Sequence, residues 1–157
     1  MNVAMFLTPK SEIVYLQDSM SVRQAMEKME YHRYQCLPVL NADGEYSGVV
    51  TEGDLLWAIK NHNEFSLQDA EKMPLSDVPR HFVYDAIPVD TDMDSVINTA
   101  YRQSFVPVTD DTGAFIGIIR RADIIHYIYS RYTKLENEKE KASKSLAQRL
   151  SEVKAFI

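Results

Sequence analysis

The segment GVVTEGD, residues 48–54, carries residue types able to hold a phosphorylated ligand. It runs from an apolar strand into a helix. A helix N-terminus presents unpaired amide groups and the positive end of a dipole, which suits an anion such as phosphate. Thr51 offers a hydroxyl to the same anion, and Gly53, with no side chain, lets a ligand come close. Asp54, one turn in, offers a carboxylate that can accept hydrogen bonds from the two adjacent hydroxyls of a ribose. The spacing has a second reading. Thr-x-x-Asp ahead of an apolar run is also a capping pattern, in which the two side chains close on the backbone of the helix start.

A related segment lies further along, where Arg120, Arg121, Ala122 and Asp123 follow an apolar strand. Two adjacent guanidinium groups at a helix start can clamp phosphates in bidentate fashion, or simply be solvated on a turn. Lys10 and Arg80 precede the first strand of each half and either add positive charge near the ligand or face water. Other chemistry is hard to find. Histidines 32, 62, 81 and 126 show no metal-ligand spacing and read as structural or surface residues. There is no nucleophile elbow, no Walker loop and no dinucleotide fingerprint. No pair of carboxylates stands out as acid and base. Cys36, the single cysteine, reads as a small core residue, and Trp57 as core rather than cleft border.

These segments belong to a duplicated unit. CLPVLNADGEYSGVVTEGDLLWAI (36–59) aligns with FVPVTDDTGAFIGIIRRADIIHYI (105–128) at an offset of 69. Pro38, Gly44, Gly48 and Asp54 meet Pro107, Gly113, Gly117 and Asp123, and Leu55, Leu56 and Ile59 meet Ile124, Ile125 and Ile128. Upstream the offset becomes 71, where the helical stripe Val22, Ala25, Met26, Met29 meets Met93, Val96, Ile97, Ala100. The second copy therefore drops two residues between its first helix and the next strand.

Each copy reads as strand, helix, strand-turn-strand hairpin and helix. The first strand is expected at residues 12–16 and within 82–89. Ser21 with Gln24, Thr91 with Asp94, and Ser66 with Asp69 in the linker are placed to cap helices. Gly44 and Gly113 sit where the hairpin turns need a positive φ. One copy is too small to bury its helices and hairpin well, so the two should pack with approximate twofold symmetry and leave two related clefts. The expected boundaries are 1–62 and 73–131 for the copies, 63–72 for the linker and 132–157 for a charged helical tail. In the tail Ala142, Leu146, Leu150, Val153 and Ile157 follow helical spacing.

Composition narrows the function. The chain has 157 residues, 45% apolar and 25% charged, with net charge -6. No basic stripe suggests nucleic acid. No apolar run approaches the roughly 20 residues of a membrane span. The start, MNVAMFLTPK, lacks the positive flank of a signal peptide, so a cytoplasmic location is expected.

The repeated stretch resembles a CBS domain. Pro38-Val39-Leu40, Gly44 and Gly48-Val49-Val50-Thr51-x-x-Asp54 carry the resemblance, and Pro107-Val108, Gly113, Gly117 and Asp123 carry it again. The pair resembles a Bateman module over about residues 1–131. The resemblance implies an α/β (α+β) fold of two βαββα units with mixed sheets. It implies a non-catalytic regulatory module that takes an adenine nucleotide (AMP, ADP, ATP, S-adenosylmethionine or cyclic di-AMP) and requires no cofactor. Thr51 and Asp54 would hold phosphate and ribose, with Asp123 serving the second cleft. Backbone at 8–11 and 76–79, including Pro9 and Val78, would frame the base. Asp77-Val78-Pro79-Arg80 and the arginines near 120 make the chain similar to small stand-alone CBS pairs of Gram-positive bacteria, some of which bind cyclic di-AMP. Arg120 stands where the family has Thr or Ser, which favours a ligand with more than one phosphate. A homodimer is expected through Leu55, Leu56, Ile124, Ile125 or their neighbours, with output to a separate partner protein. The alternatives are an interaction module without a ligand and an enzyme with an unrecognised site.

Overall fold

The computed structural model describes residues 3–155, the side chains of 153–155 excepted. It divides into two bodies, one up to Arg121 and one from Ala122. The first holds β1 (Leu7–Pro9), β2 (Leu16–Gln17), α1 (Val22–His32), β3 (Cys36–Leu40), β4 (Tyr46–Thr51) and α2 (Glu52–Asn61). After these come α3 (Leu67–Lys72), β5 (Ile87–Pro88), α4 (Met93–Arg102), β6 (Phe105–Thr109) and β7 (Phe115–Arg120). The last helix, α5 (Arg121–Ala155), starts on the final residue of the first body.

The duplication is visible in the strand register. One sheet has the order β2-β3-β4, the other β1-β7-β6-β5. Leu16 pairs with Val39 in parallel, as Ile87 does with Val108. Pro38 opposes Val49 in an antiparallel pair, as Pro107 opposes Ile118. The two βαββα units of the sequence are therefore present, each built on a mixed sheet.

The first strands differ from expectation. Residues 10–12 form a 3-10 turn, and the strand of copy one is only Leu16–Gln17. In copy two Ile87–Pro88 falls inside the expected window. The expectation also missed β1. This strand leaves its own copy and pairs antiparallel with β7 of the other, Thr8 opposite Ile118 and Pro9 opposite Gly117. A Cβ on Gly117 would lie 2.2 Å from the Thr8 carbonyl oxygen, so only glycine lets β1 come this close.

Local chemistry sets the helix starts. Ser21 with Gln24, Thr51 with Asp54, and Ser66 with Asp69 all form reciprocal capping boxes. Thr91 and Asp94 do not. Asp92 caps α4 instead, its Oδ1 accepting from the Ser95 amide at 2.9 Å. Asp92 lies 71 residues after Ser21, the offset already set by the apolar stripe. The two missing residues split between helix and connector, because α1 has 11 residues and α4 has 10. Copy one also ends its helix on a left-handed Arg33 at φ 58°, whereas Gln103 is extended. Gly44 and Gly113 adopt φ of +81° and +87°, as their turns require.

The core of copy one gathers Leu16, Val22, Val39, Val50 and Leu55, then adds Ala70, Leu75 and Val78 from beyond α2. The segment between the copies is thus part of that core. The Leu75 amide donates to the Met20 carbonyl at 2.8 Å, and the Arg23 guanidinium pairs with Glu71.

The closing helix of copy two and the tail are one 35-residue helix, about 50 Å long, all but its first residue in the second body. Leu146 and Leu150 are exposed on it, and Lys144 pairs with Glu140 at 2.6 Å. Ile157 and the Val153 side chain lie outside the described residues. No helix among the described residues is long and apolar enough to cross a membrane.

Candidate functional site

The site centres on a carboxylate at the start of α2. Strand β4 delivers Thr51 to the N-cap and places Asp54 at the third helical position. Asp54 is only 1% exposed. Its Oδ2 accepts from the Thr51 amide at 2.8 Å and from the Thr51 hydroxyl at 2.9 Å. The Thr51 oxygen in turn accepts from the Asp54 amide at 3.1 Å. The capping arrangement therefore forms.

The other carboxylate oxygen is held from the second copy. Asp54 Oδ1 accepts from the His81 amide at 2.9 Å and from His81 Nδ1 at 2.8 Å. Burial alone would raise the Asp54 pKa. Hydrogen bonds from the Thr51 backbone, the His81 ring and backbone, and the Thr51 hydroxyl outweigh it and hold the carboxyl below its ordinary value. It is an anion at neutral pH that accepts four hydrogen bonds, two from Thr51 and two from His81.

Arg80 supports this segment. Its guanidinium donates to the Val49 carbonyl at 3.1 Å and to the Leu75 carbonyl at 2.9 Å. Burial lowers its pKa, while the charges of Asp54 and Asp18 pull the other way. Of the two sequence readings, solvated or cleft-facing, Arg80 fits neither fully, because it clamps the leading segment of copy two to β4. Val78 lies in the core of copy one, 3% exposed. The exchange is mutual: β1 of copy one lies on β7, and residues 78–81 of copy two reach β4 and Asp54.

Gly53 has room for a Cβ at ordinary contact distances. A Cβ there would stand 3.6 Å from Thr51 Oγ1 and 3.7 Å from Trp57 Nε1. Trp57, expected in the core, is 42% exposed and carries Lys60 over its ring at 5.3 Å. Cys36, paired with Thr51 across β3 and β4, is half-buried. Its thiol is pushed up to about 12, chiefly by burial and then by the Asp54 charge, which disfavours the thiolate.

In copy two Arg120 ends β7 and Arg121 opens α5, both exposed. The Arg121 amide donates to the Ser104 carbonyl at 3.1 Å. Asp123 sits in the first turn of α5. Pro9 lies against β7 at Gly117, while Lys10 turns its ammonium over the Tyr15 ring at 5.3 Å and stands beside Gly44. The structure thus brings Thr51, Gly53, Asp54, Val78 and Arg80 into one neighbourhood, while the Lys10 ammonium stands beside Tyr15 and Gly44. Sequence reasoning read His81 only as a structural or surface histidine and did not place it at the site. The only available signal was its place next to Arg80. Among the described residues no cluster of His, Cys, Asp and Glu can hold a metal ion.

Comparison with known proteins bears on the fold and the family. Comparison with curated protein sequences finds no match. Solved structures do match. CbpB in complex with c-di-AMP superposes with a TM-score of 0.76 at 18% identity, covering 88% of this chain and 91% of that one. CbpB of Listeria monocytogenes, also in complex with c-di-AMP, gives 0.73 at 19% identity over 85% and 98% of the two chains. CBSX2 in complex with AMP gives 0.65 at 22% identity over 83% and 98%. At these identities the likeness shows the fold. The CBS domain model matches twice, over residues 5–61 and 74–130, the two copies found by repeat and by strand register. The chain belongs to the CBS domain family, as a tandem pair.

Proposed function

We propose that this chain is a non-catalytic cytoplasmic sensor that binds an adenine nucleotide through Thr51 and Asp54 in copy one and Arg120, Arg121 and Asp123 in copy two. The observation that carries the reading is a buried, ionised Asp54 at a helix start, in a CBS pair whose structural neighbours include complexes with c-di-AMP and AMP. Asp54 accepts the ribose hydroxyls, Thr51 donates to a phosphate, and backbone at Pro9 and Val78 frames the base. The arginine pair suits a ligand with two phosphates, which favours cyclic di-AMP at the second copy. The functional boundaries are 1–62 and 73–131, with 63–72 joining them and 132–157 as a tail. The chain signals as a homodimer or to a separate protein.

Thermal unfolding with AMP, ADP, ATP and cyclic di-AMP, with GMP as a control, tests this. A ligand at 100 times its dissociation constant adds about 2.7 kcal/mol to stability. A rise with one or more adenine nucleotides and none with GMP supports the reading. No rise with any adenine nucleotide at millimolar concentration contradicts it.

A further inference from the structure

A carboxylate offers about four lone-pair positions. Asp54 has all four in use: two by Thr51 on Oδ2, and two by His81 on Oδ1. A ribose brings two more hydroxyl donors and has no acceptor left to meet. Two of the four present donors are backbone amides, fixed by β4 and by the chain at His81. The other two are side-chain groups that can turn away, the Thr51 hydroxyl and the His81 ring. The Thr51 hydroxyl has somewhere to go, because rotation about its C–O bond aims the same proton at an incoming phosphate. The His81 side chain is half exposed and lies in a segment without regular structure, so its ring can swing into water.

We propose that His81 is the internal occupant of the ribose position, and that a nucleotide enters the first cleft by displacing the His81 ring from Asp54 Oδ1. This deepens the nucleotide reading above and rests on it. The release of one donor from each carboxylate oxygen matches the two hydroxyls of one ribose. It also makes the ligand compete with a bond that the free protein already has. His81 acts through Asp54 and is a positioning residue that sets the threshold concentration. Because the bond joins Asp54 of copy one to the leading segment of copy two, exchange of His81 for ribose also releases a contact between the copies. The sensor therefore has a local event to transmit.

The test is calorimetric titration of AMP and of cyclic di-AMP into the wild type, His81→Ala and His81→Asn. Removal of the ring leaves Oδ1 open to the ligand, so His81→Ala is expected to bind roughly tenfold tighter, the scale of one charge-assisted hydrogen bond. Asn puts an Nδ2 donor where Nδ1 was, so His81→Asn is expected to keep wild-type affinity, which a general loosening of the loop would not produce. Melting curves establish that the variants fold, and His81→Val repeats the alanine arm if that variant melts early. Binding by His81→Ala alone also supports the proposal. Equal or weaker binding by His81→Ala, or equal gain in the alanine and asparagine variants, overturns the role of His81 and leaves the nucleotide reading standing. If neither nucleotide binds any of the proteins, the nucleotide reading itself fails and His81 falls with it.

Discussion

At the scale of single residues, the pair Thr51 and Asp54 was legible because its geometry is local. Three residues of helix fix the distance, and both sequence readings, cap and ligand site, used the same atoms. His81 was not legible, because 27 residues of chain separate it from Asp54 and nothing in its spacing announces the contact. The bonds on Asp54 have a consequence in acid. Its folded pKa is depressed, so the stabilisation is present above the ordinary carboxyl value of about 3.9 and is lost as the pH falls through the lower folded value. Urea unfolding at pH 7 should show Asp54→Asn less stable than the wild type by about 1–3 kcal/mol, with the gap closing below pH 4. A gap independent of pH would show that charge is not its source. The arginine pair makes a separate prediction. Arg120→Ala with Arg121→Ala should weaken cyclic di-AMP by roughly tenfold or more and leave adenosine nearly unchanged, since only the former offers phosphates. Equal loss for both ligands in titration would place the arginines in folding instead.

At the scale of elements, capping chemistry was read correctly where side chains choose the start and incorrectly where two candidates adjoin. Ser21, Thr51 and Ser66 each had one suitable partner three residues on. Thr91 and Asp92 competed, and the carboxylate, bonded to both the amide and hydroxyl of Ser95, prevailed. β1 escaped the sequence because three residues, LTP, are too short for a period-two pattern and its partner lies in the other copy. That pairing depends on Gly117. Gly117→Ala would drive a Cβ into the Thr8 carbonyl, a backbone atom that cannot swing aside as a side chain would. Overpacking of this kind costs about 1–3 kcal/mol. The expected result is a lower melting temperature and faster amide exchange at residues 7–9. Unchanged exchange there would mean that β1 does not need the glycine.

At the scale of the whole molecule, the duplication was the most legible feature, because four special residues and one apolar helix face repeat in one register. Which apolar residues face outward was only half legible. Adjacent helical positions point about 100° apart, so Leu55 and Leu56 present different faces of α2. Leu55 and Ile124 are buried, while Leu56 and Ile125 are 55% and 58% exposed. For the proposed homodimer, Leu56→Glu should shift sedimentation toward monomer without lowering the melting temperature of the isolated chain, and an unchanged dimer would remove α2 from the interface. The central claim, that Asp54 serves a nucleotide and not only a helix end, is tested most directly by calorimetric titration of AMP and cyclic di-AMP into wild type and Asp54→Asn, with 2′,3′-dideoxy-AMP as the matched control. Asn keeps the size of the side chain, and its loss of stability is read separately from binding by urea unfolding. The predicted result is a loss of roughly tenfold or more for the ribonucleotides in the variant, with the dideoxy compound weak toward both proteins. Asp54→Asn binding ribonucleotides as tightly as the wild type would contradict the account.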